Sequence, residues 1–224
     1  HLPYGTIGVI PGRAMAAGDR FEIEIIGKGG HGAKPHATVD ALFVGCQLVN
    51  SLQAIVSRQV DPLQSAVVTV GTFQAGQAYN VIAGRAVISG TVRTFDEAVR
   101  NRVEASIRKM TEAVCLSYGA EAQIRYERGY PVLENHPEPI RKVENSALRL
   151  VGEEKLLKPP PSMGMEDFAY YLKEVPGAFF YVGGGNEGIG AVFPHHHPKF
   201  DVDEGAILMI GKMFLSLIVQ AEVQ

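Results

Sequence analysis

Residues 20–36 read RFEIEIIGKGGHGAKPH, and this stretch decides the fold of the region around it. Phe21, Ile23 and Ile25 alternate with charged residues, a period of two that predicts a half-buried β-strand. A glycine-rich loop follows the strand. After the loop, apolar residues recur at spacings of three and four from 41 to 56, which predicts an amphipathic helix. The stretch therefore predicts a strand, a loop and a helix in succession.

The chain after this helix continues the same β-α pattern. Thr38 is the expected N-cap of the first helix, with Asp40 in its first turn. The patterns that follow predict strands over 65–73 and 81–95, a helix over 96–118 and a strand over 122–126. The order β-α-β-β-α-β is that of the ferredoxin-like fold, and it predicts one α/β domain over residues 19–131.

The two flanking regions have a different organisation. Residues 1–18 are rich in glycine and proline and are predicted to be a connection. The later patterns predict helices over 137–151, a short one ending at Glu174, and one over 203–220, with a strand buried on both faces over 179–182. Residues 132–224 therefore hold too few strands for a sheet of the usual size.

Composition excludes several classes of protein. Of 224 residues, 46% are hydrophobic and 20% are charged, which is typical of a folded globular chain. The net charge of −3 argues against nucleic acid as a partner. The most apolar stretch, 206–219, is too short to cross a membrane and carries Lys212. Cys46 and Cys115 fit a reducing compartment, and no signal peptide is visible, so we expect a cytoplasmic protein.

The chain begins at His1 without an initiator methionine. A tag, a processed end or a piece of a longer protein would each explain this beginning.

The glycine-rich loop allows three interpretations. Gly27, Gly29 and Gly32 match G-x-G-x-x-G, but no acidic residue lies at the position that binds ribose in dinucleotide sites. A second interpretation is that the glycines free the loop to present His31, whose ring can donate to an oxyanion. A solvated loop histidine is the third.

Three other patterns are candidates for chemistry. His195, His196 and His197 offer imidazole ligands, but adjacent side chains point apart, so one of them is the expected metal ligand and a polar loop is the alternative. Glu166 lies beside a second carboxylate at a helix start, where the ordinary role is pairing with the helix dipole. Arg93, near a strand end, suits bidentate carboxylate recognition, and a surface arginine is its alternative.

Six segments together carry a resemblance to a known family. They are HLP at 1–3, GKGGHGAKPH at 27–36, YNVI at 79–82, GTVR at 90–93, GMEDF at 164–168 and HHPKFDVDE at 196–204. The chain resembles the metal-dependent amidohydrolases of the aminoacylase and carboxypeptidase-G type. It is most similar to the subgroup of hippurate, N-acyl-amino-acid and indoleacetyl-amino-acid hydrolases.

The resemblance implies an α/β catalytic domain split by an inserted lid, which is also the dimerisation domain. Residues 1–18 and 132–224 would belong to the catalytic domain and residues 19–131 would be the ferredoxin-like lid. The sheet partners of the catalytic segments would lie upstream of His1, together with a Cys, a His, a Glu and the general-base Glu. The chain would therefore be the C-terminal portion of a longer enzyme.

The resemblance also assigns roles to single residues. His1 and His196 would bind a pair of divalent metal ions (Zn, Mn, Ni or Co), with His197 as the fallback for His196. His31 would stabilise the oxyanion, often across the dimer. Asn80 and Arg93 would hold the carboxylate of the substrate, and Glu166 would contact the substrate. Met165 replaces a usual Ser and Ala83 a usual Pro.

The implied reaction is metal-assisted hydrolysis of the amide bond of small-molecule N-acyl amino acids. Two ligands cannot complete a catalytic site, so the chain alone is expected to be inactive. The alternative function is a non-catalytic interaction module that forms a homodimer through its lid. Sedimentation without metal would separate these hypotheses.

Overall fold

The computed structural model describes residues 2–221. Their strands are β1 (Ile7–Gly8), β2 (Gly12–Met15), β3 (Ala17–Ile26), β4 (Gly30–His31), β5 (Ala66–Ala75), β6 (Val81–Ile82), β7 (Arg85–Thr94), β8 (Glu121–Arg128), β9 (Leu133–Asn135), β10 (Leu156–Leu157) and β11 (Tyr181–Val182). Their α-helices are α1 (Ala41–Ala54), α2 (Glu97–Ser117), α3 (Pro137–Val151), α4 (Phe168–Glu174) and α5 (Gly205–Ala221). These elements form a mixed α/β fold.

The chain divides into two compact units. The first, called the sheet unit, comprises Met15–Val132 and Met163–Met165. The second, called the split unit, is made of residues 2–14, 133–162 and 166–221.

The sheet unit is built on an antiparallel sheet with the strand order β5-β7-β3-β8. Its main elements follow the order β3-α1-β5-β7-α2-β8, which is the β-α-β-β-α-β order expected from the sequence. β3 lies in the centre, where Ile23 is opposite Ile88 of β7 and Ile124 of β8.

The alternation along β3 decides which face of the sheet is covered. Phe21, Ile23 and Ile25 are fully buried in a core shared with α1 and α2, which supply Leu48 and Ile107 among others. Each such side chain contributes about 1.5–3 kcal/mol relative to an exposed one. The alternate residues of β3 lie on the opposite face, which the helices leave open.

The first helix is capped by a different residue from the one expected. Oδ1 of Asp40 accepts hydrogen bonds from the backbone N–H groups of Leu42 and Phe43, at 3.0 and 3.2 Å, so Asp40 is the N-cap. The hydroxyl of Thr38 instead donates to the Pro35 carbonyl at 2.7 Å, within the 3₁₀ turn that precedes the helix. The expectation that Thr38 caps the helix was therefore wrong.

The split unit packs α3 and α5 beside a small sheet with the order β10-β1-β11. Its core contains Ile7 and Val9 from the first segment, Ile140 and Val143 from α3, and Met213 from α5. β1 pairs in parallel with β10 and antiparallel with β11. Residues far apart in sequence thus share one core.

Two expectations for this unit were wrong. Residues 1–18 are not merely a connection, because β1, β2 and the start of β3 lie there and Ile7 is fully buried. The apolar run 179–182 forms a strand only at Tyr181–Val182, and its residues are half-buried. The physical reason is that, among residues 2–221, β11 pairs with β1 alone and lies at an edge of the small sheet.

Within residues 2–221, the helices are too short or too polar to cross a bilayer.

Candidate functional site

His31 and Asn80 lie side by side in the sheet unit because two short strands pair. β4 and β6 are antiparallel, with His31 opposite Val81. The backbone N–H of Gly32 donates to the Asn80 carbonyl at 2.8 Å. Glycine permits this approach, since a Cβ at position 32 would lie 3.0 Å from that oxygen. The structure thus brings together two of the predicted site residues.

The His31 ring is oriented as a hydrogen-bond donor. Its Nδ1 accepts a hydrogen bond from the backbone N–H of Ala33 at 3.0 Å. A nitrogen that accepts carries no proton, so this hydrogen bond assigns the proton of the neutral ring to Nε2. The side chain is exposed, which leaves Nε2–H available to an oxyanion.

The guanidinium of Arg93 is hydrogen-bonded to the chain through one nitrogen, Nη1, and is open along its Nε–Nη2 edge. Its Nη1 donates to Oγ1 of Thr91 and to the Val92 carbonyl, the latter at 3.0 Å. Within residues 2–221, its Nε and Nη2 make neither a hydrogen bond nor an ion pair. The edge formed by these two nitrogens is the one that binds a carboxylate through two parallel hydrogen bonds.

Gly18 and Met165 lie next to this arginine. Gly18 is opposite Arg93 in the ladder between β3 and β7. A Cβ at position 18 would overlap Sδ of Met165 and would lie 3.1 Å from Nη1 of Arg93. The missing side chain therefore makes room for both, and the Met165 thioether becomes a neighbour of the guanidinium.

The two groups of site residues occupy opposite ends of the sheet unit. β6, which follows Asn80, leads directly into β7 at Arg85, whereas Arg93 is near the other end of β7. Eight steps along a strand at ~3.3 Å each separate these ends by about 26 Å. A single copy of the chain therefore does not bring Asn80 and Arg93 to the same carboxylate.

A buried ion pair lies beneath the Arg93 end. Nε of Arg100 donates to both oxygens of Asp19, at 3.0 and 3.1 Å, and the two side chains are 5% and 1% exposed. The Tyr126 hydroxyl and the Gly129 N–H also donate to Asp19, at 2.8 and 3.2 Å. Burial, and then the negative charge of Asp19, raise the pKa of Tyr126 well above its usual value.

The three consecutive histidines of the split unit, His195, His196 and His197, are all exposed and differ in their contacts. His197 stacks on Phe193 with ring centroids 4.3 Å apart, and its Nδ1 accepts from the Lys199 N–H at 3.1 Å. His195 packs against Phe200. His196 has a φ of 67°, a left-handed conformation uncommon outside glycine.

Metal ligation was also expected at His1, which lies outside the described residues. Within residues 2–221, three or more His, Cys, Asp or Glu side chains are nowhere grouped as a metal site requires. The described part of the chain therefore offers single ligands and no complete set.

Glu166 lies just before α4, whose N-cap is Asp167. Its Oε1 is 3.5 Å from the N–H of Phe168, the outer limit of a hydrogen bond. Burial, and secondarily the charge of Glu166, raise the pKa of Tyr181. The Glu166 carboxylate therefore lies near both Tyr181 and the start of α4.

Thr91 and Gly18 were not among the site residues predicted from the sequence. The position of Thr91 could have identified it, because it lies two residues before Arg93 and residues two apart on a strand share one face. The position of Gly18 could not have identified it, since its partners Arg93 and Met165 are distant in sequence.

Comparisons with known proteins agree with this fold. The chain matches the model of Peptidase family M20/M25/M40 over residues 5–220. It is 42% identical to N-acetyl-L-cysteine deacetylase of Bacillus subtilis, covering 92% of this chain and 48% of that protein. It is 48% identical over 150 residues to N-acyl-L-amino acid amidohydrolase of Geobacillus stearothermophilus, covering 67% of this chain and 40% of the relative.

A solved structure is similar over almost the whole chain. It is the Bacillus subtilis YXEP protein, described as a dinuclear metal binding peptidase, with a TM-score of 0.76 and 33% identity. The match covers 97% of this chain and 54% of that one. The chain spans about half the length of the curated relatives it matches. On these findings, the chain belongs to the peptidase family M20/M25/M40.

Proposed function

We propose that the chain is part of an amidohydrolase that cleaves the amide bond of small-molecule N-acyl amino acids with the help of divalent metal ions. The observation that carries the proposal is the open Nε–Nη2 edge of Arg93, which suits the free carboxylate of such a substrate. The names of two relatives, a deacetylase and an N-acyl-amino-acid hydrolase, support it. The finer subgroup of hippurate and indoleacetyl-amino-acid hydrolases is part of the same proposal.

The two units would have different roles. We assign residues 19–131 to a ferredoxin-like lid and dimerisation domain, which the antiparallel sheet of the sheet unit supports. Residues 1–18 and 132–224 would be segments of the catalytic domain. The remaining ligands and the general base would come from the part of the relatives that this chain does not cover, so this chain alone would be inactive.

The metal ligand in the split unit would be His196, with His197 as the fallback. Within residues 2–221, the His196 ring has no hydrogen-bond or ring partner, whereas His197 uses Nδ1 on the chain itself. An imidazole with both nitrogens uncommitted suits Zn²⁺ and similar ions, and His1 would supply a second ligand. A dinuclear metal site in the related solved structure supports two ions. Bound metals would polarise the acyl carbonyl and lower the pKa of water.

The other residues would act on substrate directly. Nε2–H of His31 would donate to the oxyanion that develops on the acyl carbon. Asn80 and Arg93 would hold the substrate carboxylate. Glu166 would accept a hydrogen bond from the substrate.

A homodimer would bring these residues into one site. Because about 26 Å of β7 separates Arg93 from Arg85, the end of the strand that follows β6 and Asn80, one site would combine Arg93 of one copy with His31 and Asn80 of another. Exposed Phe43 and Tyr118, whose rings meet edge to face at 5.2 Å, offer apolar surface on the sheet unit for such a contact. We also propose a cytoplasmic location, and the free thiols of Cys46 and Cys115 support this proposal.

The test compares substrates that differ only in the carboxylate. The complete protein, loaded with Zn²⁺ or Mn²⁺, should hydrolyse N-acetyl-L-alanine and should act much more weakly on N-acetyl-L-alanine amide. Arg93→Ala should abolish this preference, and Arg102→Ala, at an exposed arginine of α2, is the control. Equal activity on the acid and the amide would contradict the proposal. Metal-dependent hydrolysis by the 224-residue chain alone would contradict the predicted inactivity of that chain.

The alternative is a non-catalytic module that self-associates through the sheet unit. The exposed aromatic pair Phe43 and Tyr118 favours it. A dimer in sedimentation without metal, together with no hydrolysis by the complete protein, would select this alternative.

A further inference from the structure

Thr91 occupies the centre of a short chain of hydrogen bonds that ends at Arg93. The Thr91 hydroxyl accepts from Nη1 of Arg93 and donates to the Asp19 carbonyl at 3.0 Å. A hydroxyl has one hydrogen, and here that hydrogen is donated in the hydrogen bond to the Asp19 carbonyl. A lone pair of the oxygen is therefore aimed at the guanidinium.

The start of this hydrogen-bond chain is rigid. The Asp19 side chain is almost fully buried and receives hydrogen bonds from Arg100, Tyr126 and Gly129. Arg100 in turn donates to the Gly129 carbonyl at 3.2 Å. The residue whose carbonyl orients Thr91 is thus fixed to α2 and β8.

Threonine adds stiffness of its own. Its β-branched side chain restricts χ1 on a strand, so the hydroxyl keeps its direction. Thr91 and Arg93 are two residues apart on β7 and share the face that the helices leave open. The hydrogen bond between Arg93 and Thr91 therefore forms on one face of a single strand.

We propose that Thr91 is a positioning residue for substrate binding, because it holds Nη1 of Arg93 so that the Nε–Nη2 edge is already oriented for a carboxylate. This inference rests on the proposed function, in which Arg93 binds the carboxylate of the substrate. An arginine ordered in advance loses little further freedom on binding, and losing that order weakens binding roughly 3- to 10-fold.

Two substitutions separate positioning from a structural role. Thr91→Val keeps the β-branched shape and removes the hydroxyl, whereas Thr91→Ser keeps the hydroxyl and removes the methyl group. The matched control is Thr72→Val, which removes the hydroxyl partner of Ser89, 2.6 Å away on the same sheet and not bonded to Arg93.

The first measurement uses the 224-residue chain and needs no activity. NMR of the arginine side chains reports rotation about the Cζ–Nη bonds, which a hydrogen bond to Nη1 slows. The Cζ–Nη bonds of Arg93 should rotate slowly in the wild type, in Thr91→Ser and in Thr72→Val. They should rotate faster in Thr91→Val, where Nη1 keeps its hydrogen bond to the Val92 carbonyl but loses the one to residue 91. Unchanged rotation of Arg93 in Thr91→Val would overturn the proposal.

The second measurement uses the complete protein with N-acetyl-L-alanine and its amide. Thr91→Val should raise KM for the acid roughly 3- to 10-fold with kcat little changed, leave the amide unaffected, and be rescued by Thr91→Ser. An equal rise in KM for acid and amide would overturn the proposal. If the wild type hydrolyses neither compound, the proposed function fails, and the rotation of Arg93 still decides whether Thr91 holds it.

Discussion

Arg100 of α2 holds Asp19 of β3 in an ion pair that is almost completely removed from water. Removing one partner of such a pair leaves a buried charge, which costs about 3–5 kcal/mol. We expect Asp19→Ala to lower the free energy of unfolding of the chain by that amount, measured by urea denaturation. Lys142→Ala, which breaks the exposed pair with Glu138, should cost under about 0.5 kcal/mol.

The double variant Asp19→Leu/Arg100→Met should recover much of this loss, because it removes both charges. A double variant as unstable as Asp19→Ala would show that the damage comes from packing and not from the unpaired charge.

Tyr126 should make the chain less stable at high pH. Its pKa is raised in the folded chain, so above about pH 10 the unfolded chain loses the proton while the folded chain keeps it. The stabilisation is complete below that pH and is lost by about 1.4 kcal/mol per pH unit as the pH rises further. Urea denaturation between pH 8 and 11 measures it. The free energy of unfolding of Tyr126→Phe should fall less steeply with pH than that of the wild type. Parallel pH curves for the two proteins would contradict this prediction.

The two cysteines should differ in reactivity. Cys46 is exposed, whereas Cys115 is buried and burial raises the pKa of its thiol. One thiol per folded chain should react rapidly with Ellman's reagent, and a second should react only in denaturant. Cys46→Ser should remove the rapid reaction, and two rapid thiols in the folded wild type would refute the assignment.

Two glycines of the same sheet should tolerate a methyl group differently. A Cβ at Gly90 would overlap the Thr69 carbonyl and the ring of buried Phe21, neither of which can move freely. Gly90→Ala should therefore cost about 1–3 kcal/mol or more in free energy of unfolding. At Gly18 the overlap is with the flexible side chain of Met165, so Gly18→Ala should lower the free energy of unfolding by less. The loss caused by Gly18→Ala should be smaller still when Met165→Ala is already present. Calorimetric unfolding of these variants provides the comparison.

Helix ends were predictable wherever a single residue type decides them. α3 begins at Pro137 and ends before Gly152, which has a φ of 78°, and both signals are visible in the sequence. The N-cap of α1 was not predictable in this way, because Thr38 and Asp40 are both residue types that cap helices. The 3₁₀ turn that engages the Thr38 hydroxyl decides between them.

Pairings distant in sequence were beyond prediction. β1, β10 and β11 are two residues each, too short to show a period, and β1 is about 150 residues from β10 and about 175 residues from β11. In the site, His31 and Asn80 could be selected by residue type, but their proximity depends on the pairing of β4 with β6. The open edge of Arg93 depends on where its Nη1 is bonded, which residue type does not reveal.

The length of β7 has a consequence for mixtures of variants. If each site takes Arg93 from one copy and His31 from another, His31→Ala and Arg93→Ala proteins would each be inactive when pure. In a mixed dimer both lesions would fall in one site, and the other site would be wild type throughout. Subunit exchange between two inactive preparations would then restore activity, with one working site in each mixed dimer.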